Sequence, residues 1–423
     1  MSTSPPRQGA FRDVPFMGVI HVLAEAMKLG FRLGDGSWSN LGQGQPEVGP
    51  MEGAPERIKL MPVHPEDQAY GPIGGCEEAR QAVADHYNRL YRRGKASLYT
   101  AENVSIGSGG RLVLSRIFAA LGRGVLGYKV PDYTAYQDLM EAHLHRCRPR
   151  LLDTRSEDGF SVPPAALEEA VEREGLSAFV VSNPCNPTGM VVQGDDLRSY
   201  VRIARDTGCL IILDEFYSHF IYDPEQGPGP GPISAAAWVE DVERDPVLLV
   251  DGLTKSFRYP GWRVGWAVGP RDLIATLDRT ASSIDGGPSG AALRAMRRVL
   301  EPARADQEST ALRNVFARKR DLMVSRLREM GIVCPRGSEA TFYVWGCLAE
   351  LPPPLNEGEG FFRAALGKKV ITVPGVFFDV NPGGLREGPS PFAKWMRFSF
   401  GPELGNMLQG LDRLSEMVAS VTP

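Results

Sequence analysis

Residues 247–270 read VLLVDGLTKSFRYPGWRVGWAVGP, and they contain two apolar runs separated by a polar loop. Its first part, residues 247–250, is apolar and β-branched over the length of a buried strand. Lys255 follows just beyond the predicted strand end, and Arg263 precedes a second apolar run at residues 264–268. Lys255 is either an amine held near an anion for covalent chemistry or an ordinary solvated surface charge. The stretch alone does not separate these alternatives.

Upstream of this stretch, short apolar runs alternate with amphipathic segments. Predicted strands lie at residues 104–106, 125–129, 150–153, 178–182 and 209–213. Predicted helices lie at residues 77–93, 112–121, 133–145, 164–173 and 195–206, with a shorter one at 21–29. Several of the strands are apolar throughout, which is typical of strands that are buried on both faces. The pattern therefore predicts an α/β domain with a mostly parallel sheet covered by helices.

Downstream of residue 271 the pattern changes to a mixture typical of a smaller α+β domain. A helical stretch at 291–330 is interrupted at Pro302. Predicted strands follow at residues 331–334, 341–345, 370–373 and 395–400, with predicted helices at 360–366 and 402–418. We expect three parts, which are an N-terminal arm with part of the small domain (1–50), a large domain (51–290) and a small C-terminal domain (291–423). Residues 227–232, GPGPGP, predict an exposed loop.

Composition excludes several classes of partner. The 423 residues include 47 basic and 51 acidic side chains, so no charge footprint for nucleic acid or an acidic membrane is present. Any anion must be bound locally. The six cysteines are scattered without metal-ligand spacing, which indicates reduced structural thiols and no metal site. No run of about 18 apolar residues and no N-terminal signal-like segment is found, and we expect a cytoplasmic protein.

Polar residues follow the predicted strands where ligands bind in open α/β sheets, at the carboxyl ends. Ser108-Gly109-Gly110 lies between a strand and a helix, and is either a phosphate-binding turn or a plain glycine turn. Residues 183–189, NPCNPTG, contain two Asn-Pro pairs that restrict the loop and hold an amide side chain in place. Asp214 ends an apolar strand, so its carboxylate needs a helix N-terminus or a buried cation as its partner.

Taken in order, these residues resemble the pyridoxal-phosphate-dependent aminotransferases of fold type I, class I/II, the aspartate aminotransferase-like family. The resemblance covers nearly the whole chain. The matched residues are Gly44 in Gly42-Gln43-Gly44-Gln45-Pro46, Tyr70 with Gly71 to Gly75, Ser108-Gly109-Gly110, Pro131 with Tyr133, Asn183 to Gly189, Asp214 with Tyr217, Thr254-Lys255 with Gly261-Trp262-Arg263, and Arg397 in Met396-Arg397-Phe398-Ser399. The resemblance implies a homodimer with shared active sites that acts on small-molecule amino acids and 2-oxo acids.

The resemblance also implies pyridoxal 5′-phosphate as cofactor and assigns residues to it. Lys255 would form the Schiff base with its aldehyde and act as general base and acid. Asp214 would pair with the ring nitrogen, and Tyr217 would complete the catalytic group. Further expected contacts are Asn186 and Tyr217 at the phenolic oxygen, Tyr133 on the ring face, Ser108, Gly109, Gly110, Thr254 and Arg263 at the phosphate, Tyr70 from the neighbouring subunit, and Arg397, Gly44 and Asn186 at the substrate carboxylate.

Two departures from the family pattern leave parts of the function open. Gly252 stands where many relatives have a serine, so one phosphate hydroxyl is missing. Residues 282–290, SSIDGGPSG, do not resemble the usual polar segment, which leaves the side-chain specificity open. The favoured function is amino transfer between an α-amino acid and a 2-oxo acid. A lyase, synthase or oxidase on the same scaffold is the alternative; a non-catalytic ligand sensor is disfavoured by the intact Lys255, Asp214 and Arg397.

Overall fold

The computed structural model describes residues 18–222, 229 and 231–421. The predicted arm at residues 1–15 lies outside the described residues, as do residues 227, 228 and 230 of the GPGPGP segment. The helices are α1 (Gly18–Lys28), α2 (Glu77–Tyr91), α3 (Gly110–Ala120), α4 (Ala135–Glu141), α5 (Pro164–Glu174), α6 (Gly194–Thr207), α7 (Arg271–Ala281), α8 (Gly290–Val299), α9 (Pro302–Glu329), α10 (Gly358–Gly367) and α11 (Leu404–Ala419). The strands are β1 (Ser39–Asn40), β2 (Val104–Gly107), β3 (Gly124–Lys129), β4 (Cys147–Leu152), β5 (Leu176–Ser182), β6 (Leu210–Asp214), β7 (Val247–Gly252), β8 (Gly265–Val268), β9 (Tyr343–Cys347), β10 (Val370–Ile371), β11 (Val373–Pro374) and β12 (Trp395–Ser399).

The main sheet has seven strands in the order β2-β8-β7-β6-β5-β3-β4. Strands β7, β6, β5, β3 and β4 pair in parallel. Strand β8 is antiparallel to both of its neighbours, β7 and β2. The prediction of a mostly parallel α/β sheet is therefore confirmed, and the two strands that flank the Lys255 loop, β7 and β8, form its antiparallel step.

Helices cover both faces of this sheet because its strands are apolar on both sides. Ile212 of β6 packs into one hydrophobic cluster, together with Val113 of α3. Its neighbour Leu213 packs into a second cluster, together with Val201 of α6. Successive side chains of a strand point to opposite faces, so a strand between two helical layers must be apolar at every position.

The smaller part of the chain contains the antiparallel sheet β11-β12-β9 and the parallel pair β1-β10. The predicted strand at 331–334 is wrong, because these residues turn directly after α9 and form only an isolated bridge between Val333 and Cys347. Gly331 has a φ of +81°, which ends the helix but does not continue into a strand. The predicted domain limits at residues 50 and 290 stay predictions.

A buried ion pair fastens the loop after Lys255 to the long helix α9. Arg258 is fully buried, and its Nε lies 2.5 Å from Glu308 Oε1 on α9. The same guanidinium donates from Nη1 to the Gly49 carbonyl at 2.9 Å. The loop and the segment before residue 50 therefore share one anchor on α9.

All six cysteines are free thiols, and Cys147, Cys185, Cys209 and Cys334 are buried. None of the helices within the described residues combines the length and the apolar character needed to cross a membrane.

Candidate active site

Four segments that carry predicted site residues leave the main sheet at one edge. Asp214 is the last residue of β6, and Ser182 ends β5 directly before the NPCNPTG loop. Lys255 follows β7, and Ser108 follows β2. The pairing directions place the carboxyl ends of these strands at the same edge. The tertiary fold thus gathers residues that are up to about 150 positions apart in sequence, as the open-sheet rule predicts.

Asp214 is buried and accepts a hydrogen bond of 3.0 Å from the Tyr136 hydroxyl. Burial raises the pKa of Asp214 to about 7, and nearby Asp132 adds to the rise, while the Tyr136 bond and Lys255 oppose it. A carboxylate in this position is stabilised by a cationic partner. A protonated ring nitrogen would be such a partner. Tyr136 was not predicted, although its place three residues after Tyr133 is the available signal.

Lys255 is partly buried, with its amine end enclosed. Burial lowers the pKa of Lys255 to about 7, and the positive charges of Arg397 and Arg111 lower it further, while Asp214 opposes them. The amine donates a hydrogen bond to the Gly44 carbonyl. A lysine amine with a pKa of about 7 is partly uncharged at neutral pH, and the uncharged amine can attack a carbonyl group. An exposed lysine is almost fully protonated at that pH and attacks poorly.

The Ser108-Gly109-Gly110 turn and Arg263 form a cradle for an anion. Gly109 has a φ of +99° and precedes the first turn of α3, where backbone N–H groups have no partner within the helix. A Cβ placed on Gly109 would lie 2.2 Å from Arg263 Nη2, so the guanidinium lies directly against the turn. Thr254 is partly exposed next to Lys255. Helix amides beside a guanidinium fit a phosphate group.

Tyr133 and Arg111 contact each other beside this cradle. Arg111 Nε donates to the Tyr133 hydroxyl at 2.9 Å. The Tyr133 ring packs edge-on against Tyr136 at 5.6 Å between ring centres, which places it near Asp214. Arg111 was not predicted, and its position directly after the Ser108-Gly109-Gly110 turn is the signal that could have identified it. Arg111 is thus a second exposed guanidinium beside the cradle, in addition to that of Arg263.

Arg397 is buried between two aromatic rings, at 4.1 Å from the Tyr343 ring centre and 5.0 Å from that of Phe378. It donates from Nη1 to Asn186 Oδ1 at 2.9 Å and from Nη2 to the Gly42 carbonyl at 2.8 Å. Its Nε is buried and has no hydrogen-bond partner within the described part of the chain. A planar guanidinium with an unused donor fits a carboxylate ligand.

Tyr217 is buried, and its hydroxyl lies 3.0 Å from the Tyr343 hydroxyl. Tyr343 was not predicted as a site residue, because its position in the sequence 341–345, TFYVW, indicates only a strand. The Lys255 amine, which bonds to the Gly44 carbonyl, lies 6.0 Å from the Tyr217 ring centre. Tyr70 is fully exposed, with 104% relative accessibility, and its expected role in a neighbouring subunit stays a prediction.

The packing around Gly252 explains the departure from the family pattern. A Cβ at this position would lie 2.5 Å from the Val264 carbonyl oxygen, 2.8 Å from Gly265 Cα and 3.0 Å from the Phe216 ring. Real Cβ atoms do not approach other atoms this closely, so a serine does not fit without a shift of the backbone of β8. The backbone at Val264 and Gly265 and the ring of Phe216 fill the space at residue 252, so the cradle has no hydroxyl there.

The segment 282–290 is anchored by a buried ion pair. Asp285 binds the Arg116 guanidinium with both carboxylate oxygens, at 2.8 Å and 2.9 Å from Nη2. Arg116 also donates to the Ile106 carbonyl at 3.0 Å. Ser108 Oγ lies 3.5 Å from the Gly287 carbonyl. The segment is thus held against α3 and the Ser108 turn.

Comparisons with known proteins point to one family. A family model described as "Aminotransferase class I and II" matches residues 37–414. An aspartate/prephenate aminotransferase of Cereibacter sphaeroides is 28% identical over 358 residues, which cover 81% of this chain and 84% of the relative. An aspartate aminotransferase of Sulfurisphaera tokodaii is 24% identical over 384 residues, which cover 90% of this chain and 89% of the relative.

Among solved structures, the aspartate aminotransferase from Thermus thermophilus with maleate has a TM-score of 0.76 to this chain. The sequences are 24% identical, and the match covers 96% of this chain and 97% of that one. This likeness establishes the fold. Class I and II aminotransferases generally use pyridoxal phosphate, and Lys255, Asp214 and the Gly109 cradle fit its aldehyde, ring nitrogen and phosphate.

In the cofactor-free protein, reductive methylation of Lys255 should be half-maximal near pH 7. Only the neutral amine attacks formaldehyde, and burial lowers the pKa of Lys255 to about 7, so the reaction is slow below that pH and fast above it. Exposed Lys59 is the matched comparison, because its hydrogen bond with Glu56 raises its pKa and delays its reaction to higher pH. Peptide mass spectrometry over a pH series measures both lysines. Superimposable profiles would contradict the enclosed amine.

Replacement Gly252→Ala should destabilise the protein by about 1–3 kcal/mol, because the added Cβ overlaps the backbone of β8 and the Phe216 ring. Gly122→Ala is the matched control, since no atom lies within 4 Å of its Cβ position. Denaturant unfolding of both variants measures the free energies. Equal stabilities for the two variants would show that residue 252 has room for a side chain.

Proposed function

The chain belongs to the class I and II aminotransferases, and we propose that it binds pyridoxal 5′-phosphate at Lys255 and uses an amino acid with an acidic side chain as one substrate. The observation that carries this proposal is the Lys255 amine, which bonds to the Gly44 carbonyl and whose pKa burial lowers to about 7. The reaction moves an amino group between an α-amino acid and a 2-oxo acid.

Each of the residues around Lys255 would have a separate role in the reaction. The bound cofactor supplies a ring that withdraws electrons from the substrate's Cα bonds. Asp214 would hold a proton on the ring nitrogen, since a buried carboxylate is stabilised by an adjacent cation. The Lys255 amine would take and return the substrate Cα proton, for which a pKa of about 7 is well matched near neutral pH. Arg263 and the Gly109 turn would hold the phosphate.

Charge pairing supports a substrate with two carboxylates. Arg397 has an unused buried Nε for the α-carboxylate, and Arg263 lies against the proposed phosphate turn. Arg111 is a further guanidinium close enough to lower the pKa of Lys255. A side-chain carboxylate would pair with Arg111 and bind next to Tyr133. Aspartate, the amino acid in the names of the two relatives above, has such a carboxylate.

We propose that the enzyme is a cytoplasmic homodimer. All six cysteines are free, which suits a reducing compartment. Tyr70 is fully exposed next to a glycine-rich loop, and a partner subunit would give this aromatic side chain a buried environment. Tyr70 would then reach the partner's phosphate, as the family resemblance implies.

Incubation of the holoenzyme with a panel of amino acids tests the reaction. Aspartate and glutamate should convert the cofactor to its pyridoxamine form, because the amino group stays on the cofactor when the 2-oxo acid leaves. Absorbance spectra and product analysis measure the conversion. If no amino acid forms the pyridoxamine, and ammonia or carbon-carbon cleavage products appear, the enzyme is a lyase, synthase or oxidase on this scaffold.

Borohydride reduction of the same holoenzyme should fix the cofactor at Lys255. Lys255→Ala should abolish turnover, and the exposed Lys59→Ala variant should keep it. A peptide map with the cofactor on a different lysine would contradict the assignment.

Replacement Arg111→Met should lower kcat/KM for aspartate by about 10- to 100-fold, the effect of losing one charge-assisted hydrogen bond. The value for alanine, which has no side-chain carboxylate, should change much less. Arg111→Lys is the matched control and should retain part of the preference, since its charge remains but its planar fork is lost. Equal losses for aspartate and alanine would assign Arg111 to the cofactor or the fold and not to the substrate.

A further inference from the structure

Tyr343 connects two groups that the proposed function assigns to different ligands. It is buried on β9, and its hydroxyl lies 3.0 Å from that of Tyr217. The guanidinium of Arg397 lies over its ring, 4.1 Å from the ring centre. Tyr217 belongs to the cofactor side of the site, and Arg397 to the substrate carboxylate. Tyr343 is therefore in contact with both Tyr217 and Arg397.

Either hydroxyl of Tyr217 and Tyr343 can donate to the other, but a ligand that accepts from Tyr217 fixes which one donates. A tyrosine hydroxyl carries one proton to donate and lone pairs to accept. If Tyr217 donates its proton to an oxygen in the site, the proton shared between the two tyrosines must come from Tyr343. A hydroxyl that accepts a hydrogen bond becomes a stronger donor itself, because the bonds polarise one another. Tyr343 then strengthens the bond from Tyr217 to the ligand.

Arg397 influences this donor through the ring of Tyr343. A cation over an aromatic face attracts its electron density and makes the phenol a better proton donor. In agreement, Arg397 lowers the pKa of Tyr343 against the rise that burial causes. When a carboxylate binds Arg397, part of that positive charge is neutralised. Tyr343 becomes a weaker donor, and so does Tyr217.

We propose that Tyr343 is a positioning residue that transmits the charge state of Arg397 to the Tyr217 hydroxyl. The inference rests on the proposed function, because it requires a cofactor oxygen as the acceptor for Tyr217. A second connection exists, since Arg397 also donates to Asn186 Oδ1 at 2.9 Å. Removal of the Tyr343 hydroxyl should therefore reduce the coupling without abolishing it.

The cofactor oxygen that accepts the hydrogen bond from Tyr217 determines whether the pH midpoint of the visible absorbance rises or falls. A strong donor at Tyr217 stabilises negative charge on the cofactor oxygen, which then holds a neighbouring proton less tightly. If the Tyr217 hydroxyl is a weaker donor, the neighbouring proton stays bound until a higher pH is reached. Loss of the Tyr343 hydroxyl should raise the pH at which the visible absorbance of the lysine-bound cofactor changes. A carboxylate on Arg397 should raise it as well.

The test is a spectrophotometric pH titration of the holoenzyme, with and without saturating maleate as a non-reactive carboxylate. Tyr343→Phe should raise the midpoint by about half a pH unit and should at least halve the shift that maleate causes. Tyr200→Phe is the matched control, because it removes a buried hydroxyl on α6 that donates to the Val162 carbonyl at 2.5 Å. Its midpoint and its maleate shift should equal those of the unchanged enzyme.

A second substitution tests the same donor in the opposite direction. Tyr343 replaced by 3,5-difluorotyrosine keeps the hydroxyl and the packing but is a stronger proton donor, so the midpoint should fall. Unchanged midpoints and an unchanged maleate shift in both Tyr343 variants would overturn the proposal. A holoenzyme without any visible band, including the unchanged enzyme, would instead overturn the proposed cofactor binding on which the inference rests.

Discussion

Burial of the Lys255 amine among positive charges is the constraint on which the site depends. An ammonium group is costly to enclose, and Arg397 and Arg111 make it costlier, so the pKa of Lys255 falls to about 7. Asp214 faces the reverse cost as a buried carboxylate, and its pKa rises to about 7. In the proposed function, a covalent linkage would relieve the cost at Lys255, and a cationic ring nitrogen would relieve the cost at Asp214.

Such a site needs rigid loops, and buried ion pairs provide them. Arg258 and Glu308 fasten the loop after Lys255 to α9, and Arg116 and Asp285 fasten the segment before α8 to α3. Removal of one partner from a buried pair of this kind typically costs about 3–5 kcal/mol, because the other charge stays buried. Neither pair includes a residue assigned to the proposed cofactor or substrate contacts.

The distribution of charge within the site differs from that of the whole chain. The chain carries a net charge of −4, yet Arg397, Arg263 and Arg111 converge around Lys255 with Asp214 as the opposing carboxylate. This local excess of positive charge matches ligands with a phosphate and carboxylates. Burial raises the pKa of Tyr217 and of Tyr343 at the same place, and their hydroxyl contact is buried, so it depends little on salt.

Apolar periodicity is a local signal, and it predicted the α/β class and most of the buried strands. The order of the motifs pointed to Lys255, Asp214 and Arg397 through the family resemblance, but which side chains touch follows only from the tertiary structure. Tyr217 and Tyr343 are 126 positions apart, and Asn186 and Arg397 are 211 apart. No local pattern encodes such contacts, so Tyr343, Tyr136 and Arg111 were missed. The filled space at Gly252 is likewise set by three segments that meet only after folding.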